Sequence, residues 1–173
     1  MAKTAPAKKA AAKKTAAKKV AKKAAPVKKT AAKKKPEIHI KYEDKSAGQP
    51  ELILIFDAIK KLMQPYDKKR ALVLHADKPS QANLVSHKPL VVDGKPRKEY
   101  WLVSALVQKG YVGFYCSPAY EEKEMKKYVS EEFIKCLKGG SCYYIKKNDP
   151  QLLKDIKKAI ELKYNVCIEK GFI

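Results

Sequence analysis

Apolar residues recur along this chain with two different spacings. From Pro50 they fall at Leu52, Ile53, Ile55, Phe56, Ile59, Leu62 and Met63, the rhythm of a helix with one buried face. Proline fits the first helical position, and Pro65 ends the run. Shorter β-type runs follow at 71–76, 83–86 and 90–92, with Asp93-Gly94 as a tight turn. The longest, 100–107, turns back at Lys109-Gly110 into 111–116, which predicts an antiparallel hairpin. Ser117-Pro118 carries the signature of a helix start, and Ser130 that of another, which Gly139-Gly140 would end. One more strand is expected at 141–146. Asp149-Pro150 then caps a last helix whose Leu152, Leu153, Ile156, Ile160, Tyr164 and Cys167 form a broad apolar stripe, closed by Gly171. A helix, a series of antiparallel strands and then helices around a final strand define an α+β fold. The expectation is a sheet of five to six strands packed by the N-terminal helix and two to three C-terminal helices.

No such pattern exists before residue 37. The first 36 residues hold fourteen lysines and no acidic residue, in a background of Ala, Thr, Val and Pro. Of the net charge of +21, this tail supplies fourteen, so the remaining 137 residues carry 25 basic against 18 acidic groups. The lysines cluster as Lys8-Lys9, Lys13-Lys14, Lys18-Lys19, Lys22-Lys23, Lys28-Lys29 and Lys33-Lys34-Lys35. The step between clusters is close to five residues, so on a helix each cluster turns by about 140° from the last. Charge would wrap the whole cylinder and leave no stripe for packing or for a membrane surface. Repulsion and the lack of burial predict disorder in water. The domain count is therefore a polycationic tail at 1–36, a linker or edge strand at 37–49, and a folded domain at 50–173.

Such a tail selects dense polyanions, DNA foremost. Affinity would come from counterion release, and those thirteen clustered lysines are the expected phosphate contacts. With no arginine and no aromatic residue in the tail, it has neither a guanine-reading fork nor a stacking ring, so it should grip phosphate without reading sequence. Its composition resembles the tails of linker histones and of bacterial histone-like proteins. No stretch is long and apolar enough for a membrane span or a secretory signal. A cytoplasmic setting is expected, bacterial and nucleoid-associated, and there Cys116, Cys136, Cys142 and Cys167 should be free thiols.

The run Gly110-Tyr111-Val112-Gly113-Phe114-Tyr115 and the later Lys138-Gly139-Gly140-Ser141-Cys142-Tyr143-Tyr144-Ile145-Lys146-Lys147 resemble the YdhG-like domain. Asp149, Leu152-Leu153 and the closing Lys170-Gly171-Phe172-Ile173 fit the same pattern. The resemblance covers about 50–173. It implies an α+β domain of a small bacterial family, some of whose members are grouped with frataxin-type iron chaperones. On that alternative, iron would be held by carboxylates, Glu121, Glu122 and Glu124 being the candidates. Lys123, Lys126 and Lys127 interleave with them and favour a solvated charged face instead.

Catalytic signatures are absent. There is no nucleophile elbow, phosphate-binding glycine loop or HExxH motif. Cys136 and Cys142 are spaced too widely for a usual zinc knuckle, so no metal or other cofactor is expected. His75 and His87 lie on neighbouring β-type runs that can bring them face to face, yet no nucleophile accompanies them. Tyr100, Trp101, Tyr111, Phe114, Tyr115, Tyr143 and Tyr144 crowd the expected sheet beside Arg97, Lys98, Lys109, Lys146 and Lys147. Strand alternation sends half of those rings into the core; the rest would make a face for nucleic acid. The expectation is a non-enzymatic DNA-binding protein whose domain acts as a second contact, a homodimerisation unit or a partner-binding module, with no small-molecule substrate.

Overall fold

The computed structural model describes residues 42–92, 94–120 and 122–173. Helix α1 (Pro50–Met63) starts with proline in its first turn and runs into a 3-10 turn at Gln64–Tyr66, where Pro65 removes the donor needed to continue it. Strands β1 (Leu72–Lys78), β2 (Gln81–Ser86), β5 (Tyr100–Gln108), β6 (Tyr111–Tyr115), β7 (Leu137–Lys138) and β8 (Cys142–Ile145) form one antiparallel sheet in the order β1-β2-β5-β6-β8-β7. A separate two-stranded ribbon joins β3 (Leu90–Val92) to β4 (Lys95–Arg97). Helices α2 (Glu122–Met125), α3 (Glu131–Lys135) and α4 (Pro150–Glu169) complete the α+β fold.

All four α-helices among the described residues feed the core on one face of the sheet. Leu52, Ile55, Phe56, Ile59 and Met63 of α1 meet Ile156, Ala159, Ile160 and Cys167 of α4, with Met125 and Phe133 closing the side. From the strands come Leu72, Ala82, Leu84, Ala105, Val107, Val112, Phe114, Tyr143 and Ile145. Alternation selects that set, because each position two residues along a strand returns to the same face. Phe114 sits at the centre, its ring centroid 5.9 Å from that of Tyr143 and 6.4 Å from that of Phe133.

Polar groups fix the helix ends. Asp149 accepts from the N–H groups of Gln151 and Leu152 at 2.8 and 2.9 Å, a cap of the kind worth about 1 kcal/mol. Ser130 caps α3 by accepting from Phe133 N–H at 3.2 Å and donates its hydroxyl proton to Asp155 Oδ2 at 2.6 Å. Asp155 lies on α4 and is only 4 % exposed; Gln151 Nε2 and the Ser130 N–H also donate to it, so its carboxylate is not stranded.

Two expected elements differ. The Ser117-Pro118 helix is not formed: Ala119 and Tyr120 pack on the core, the Tyr120 ring stacks on Tyr128 at 5.8 Å, and helix begins only at Glu122. Burying those two side chains outweighs the local start signal. Gly139-Gly140 does not end a helix either. The helix stops at Lys135, and the two glycines turn β7 into β8; Gly139 has φ +76, a left-handed conformation that glycine adopts without strain. Of the segment 37–49, residues 42–49 are described and contain no strand. They are tied down: the Tyr42 and Ser80 hydroxyls hydrogen-bond each other, Gln49 Nε2 donates to Gln108 O at 3.1 Å, and Gly110 N–H donates to Gln49 Oε1 at 2.7 Å.

Candidate nucleic-acid interface

The thirteen clustered lysines from Lys8 to Lys35 lie outside the described residues, as does Glu121. Glu122 and Glu124 belong to the single-turn helix α2, where Glu124 is exposed with Lys126 and Lys127 following it. Among the described residues, no three His, Cys, Asp or Glu side chains converge as a metal-binding group. Nor is any helix among them long and apolar enough to cross a membrane. A hollow of about 360 Å³ lies at the corner of α3 and β7, lined by Lys126, Glu131, Ile134, Lys135, Leu137 and Gly139, away from both histidines.

The sheet face opposite the helices carries the distinctive chemistry. Cross-strand pairing sets out one row from edge to edge: His75, Asn83, Ser104, Tyr115, Cys142 and Lys138. A second row, Val73, Val85 and Trp101, is placed by a bulge in β5. Opposite the Leu84–Val85 step the register jumps from Val103 to Trp101, so the extra residue, Leu102, is absorbed and the indole points outward. Trp101 is 53 % exposed, far more than a core indole would be.

The aromatic residues divide as alternation requires. Tyr100, Phe114 and Tyr143 turn inward, Tyr100 packing on Phe172 at 5.0 Å and lying under the Lys163 ammonium at 5.7 Å. Trp101, Tyr111, Tyr115 and Tyr144 turn outward. Tyr111 and Tyr144 stack at 3.9 Å with their planes 12° apart. Their hydroxyls interact, which raises the pKa of Tyr111, with burial adding to the effect. Tyr115 folds over Gly113, where an added Cβ would stand 2.8 Å from the ring edge. Glycine at that position is what lets the ring lie flat on the strand. Exposed Lys109, Lys138 and Lys146 border these rings, and exposed Arg97 and Lys98 precede Trp101.

His75 and His87 do meet. Their Nε2 atoms are 3.0 Å apart and their rings cross edge-to-face at 5.2 Å. His87 Nδ1 stands 3.7 Å from Glu99 Oε2, and Glu99 Oε1 accepts from the Trp101 indole N–H at 2.9 Å. Sequence reasoning brings the histidines together but misses Glu99 and Trp101 beside them; the Glu-x-Trp spacing at the entry to β5 was the signal available.

Two of the cysteines, Cys116 and Cys167, are core thiols, while Cys142 lies on the outward face. Cys116 and Cys167 are buried, Cys136 and Cys142 half-buried, and all four are free. Burial pushes the Cys116 thiol up to about 12 against an opposing pull from the Lys163 ammonium, and burial likewise pushes Tyr143 up to about 12. Both groups are therefore protonated in the fold well above the ordinary thiol value of 9.0. A raised folded pKa contributes stability in full below the unfolded value and loses it as pH climbs through the folded one. The urea midpoint should accordingly hold to about pH 8.5 and fall steadily from about pH 9 to 12. A midpoint that is flat over that interval would remove burial of these groups as a source of stability.

A comparison of the chain with protein-family models, with curated proteins and with solved structures finds no match in any of the three.

Proposed function

We propose that this protein is a non-enzymatic, sequence-independent DNA-binding protein, and that its folded domain, YdhG-like by resemblance, is a second contact on the nucleic acid. The observation that carries this reading is the charge of the first 36 residues: fourteen lysines with no acidic residue among them. A polyelectrolyte of that density binds phosphate backbones by releasing their counterions, at a strength set by salt. The bacterial nucleoid is the setting that supplies such a partner.

The outward rings support the domain's part in it. Trp101, Tyr111, Tyr115 and Tyr144 lie on one face with Lys109, Lys138 and Lys146 at its border. Stacking a base on an aromatic side chain contributes about 1–3 kcal/mol and tolerates any sequence, because every base has a π-face. Tethering such a face to a phosphate-gripping segment raises its effective concentration at the strand. The two parts are complementary in salt: the lysines weaken as salt rises while stacking persists.

The face is tested where the lysines are suppressed. In the full chain at high salt, replacing Tyr111 and Tyr144 together by alanine should weaken binding of a single-stranded oligonucleotide about 5- to 150-fold. Trp101 is the only tryptophan, so its fluorescence reports the face alone. Saturation with the oligonucleotide should quench it. An unchanged affinity together with an unchanged indole signal would confine binding to the lysines.

A further inference from the structure

We propose that the β3–β4 ribbon enters the major groove of duplex DNA, with Val91 and Pro96 toward the groove floor and Lys95, Arg97 and Lys98 on the flanking phosphates. The inference rests on the DNA-binding reading above and gives the domain a duplex contact separate from the aromatic face.

The ribbon is an appendage. It is inserted between β2 and β5, and its two strands pair only with each other. No described residue from 88 to 98 belongs to the core. Lys88 Nζ ties down its foot by donating to Gly171 O at 3.1 Å, and Gly94, at φ +72, turns its tip. A two-stranded ribbon is marginal by itself in water, so an exposed one adds little to the stability of the fold.

Its composition points to the partner. Residues 88–98 hold four basic groups, Lys88, Lys95, Arg97 and Lys98, against the single acidic Asp93. Lys95, Arg97 and Lys98 are exposed and form no ion pair among the described residues. Cross-strand partners share a face, so Val91 and Pro96 stand on one side of the ribbon while Lys95 and Arg97 stand on the other. Val91 is 65 % exposed and Pro96 is exposed beside it. Neither side chain can hydrogen-bond, and proline has no N–H, so against base edges the pair reads no donor–acceptor code. The long basic side chains reach the phosphates at the groove rim, contacts that position a protein without reading sequence.

Dimensions select the groove. Two strands about 4.8 Å apart, with their side chains, fit a major groove about 12 Å wide and are too broad for a minor groove of about 6 Å. Three residue pairs at about 3.3 Å each extend about 10 Å, enough for a groove about 8.5 Å deep. A strand of another protein is the other partner an open ribbon could take. However, β4 is only Lys95–Arg97, with Pro96 at its centre and a cation on each side, features that block edge pairing.

The test is the salt dependence of duplex binding by the full chain. In Lys95→Gln/Arg97→Gln/Lys98→Gln the slope of log affinity against log salt should fall by about 2.7, so the wild-type advantage shrinks about 40-fold between 50 and 200 mM salt. Lys147→Gln/Lys154→Gln/Lys157→Gln removes the same charge around the start of α4, the end of that helix away from the ribbon's foot, and should change the slope by less than about 1. Dimethyl sulfate methylates guanine N7 in the major groove and adenine N3 in the minor groove. The wild-type chain and the α4 variant should protect N7, and the ribbon variant should lose that protection. Equal slopes in the two variants, N7 protection that survives in the ribbon variant, or protection at N3 overturns the groove contact. So does a ribbon variant that binds a single-stranded oligonucleotide as much more weakly as it does the duplex. A full chain that fails to bind duplex at 50 mM salt removes the DNA-binding reading and the ribbon with it. A steep full-chain slope unchanged in the ribbon variant removes the ribbon alone. The substituted side chains lie outside the core, so circular dichroism should report the same fold in both variants.

Discussion

Removing residues 1–36 should lower the affinity for duplex DNA at about 50 mM salt by a factor of about 10³ or more, and should flatten its salt dependence. Each phosphate neutralised adds about 0.9 to the slope of log affinity against log salt. If the clustered lysines engage six to ten phosphates, the full chain loses about 10³ to 10⁵ in affinity between 50 and 200 mM salt. The 37–173 fragment has 25 basic and 18 acidic residues and no comparable density of one sign. Its slope should fall to a small residual. The truncation leaves the folded domain whole, because the core is assembled from residues between Leu52 and Ile173. Replacing the paired lysines by glutamine should reproduce the truncation, while arginine should preserve binding, since both cations neutralise phosphate. The measurement is a binding isotherm for each protein at several salt concentrations. A fragment with the affinity and slope of the full chain would place the binding element in the domain and end the proposed role of the lysines.

How far the fold was legible depends on how local its causes are. Helices α1 and α4 can be read from residues beside them: Pro50, Pro65, Asp149-Pro150 and Gly171 mark their ends, and their apolar spacing marks the buried side. The β5–β6 hairpin is equally local, since its turn is Lys109-Gly110 and its strands alternate. Where a distant partner decides, the sequence misleads. Strand β4 is Lys95-Pro96-Arg97, polar and exposed throughout, and nothing but its pairing with Leu90–Val92 makes it a strand. Strand β7 has two residues, too few for any period to show. Ser117-Pro118 has the chemistry of a helix start, but Ala119 and Tyr120 are drawn into the core instead. The aromatic face was half legible: alternation predicts that the rings divide, while the outward turn of Trp101 depends on the β5 bulge, which no local residue announces. Likewise, neighbouring strands foretell the meeting of His75 and His87, and only the folded bulge brings Glu99 and Trp101 to them.

The second large effect falls on stability and separates the two halves of the proposed function. Phe114→Ala should cost about 3–5 kcal/mol of folding free energy. Phe114 is fully buried, pairs across the sheet with Ala105 and Tyr143, and contacts Phe133 on α3. Its removal leaves a cavity whose walls are strands and an already stacked pair, Phe133 and Tyr143 at 4.3 Å, which have little freedom to collapse inward. A single domain of this size is stable by only about 5–15 kcal/mol, so the loss takes a large share of the total. Urea denaturation, followed by the fluorescence of Trp101, should show the midpoint fall with little change in slope. DNA binding at low salt should barely respond, because lysines that grip phosphate by counterion release do not require the sheet. Stacking on the outward face should respond, since Tyr111, Tyr115 and Tyr144 are held in register by the same strands that Phe114 anchors. A variant that loses low-salt DNA affinity in step with its stability would show instead that the lysines bind only when presented by a folded domain.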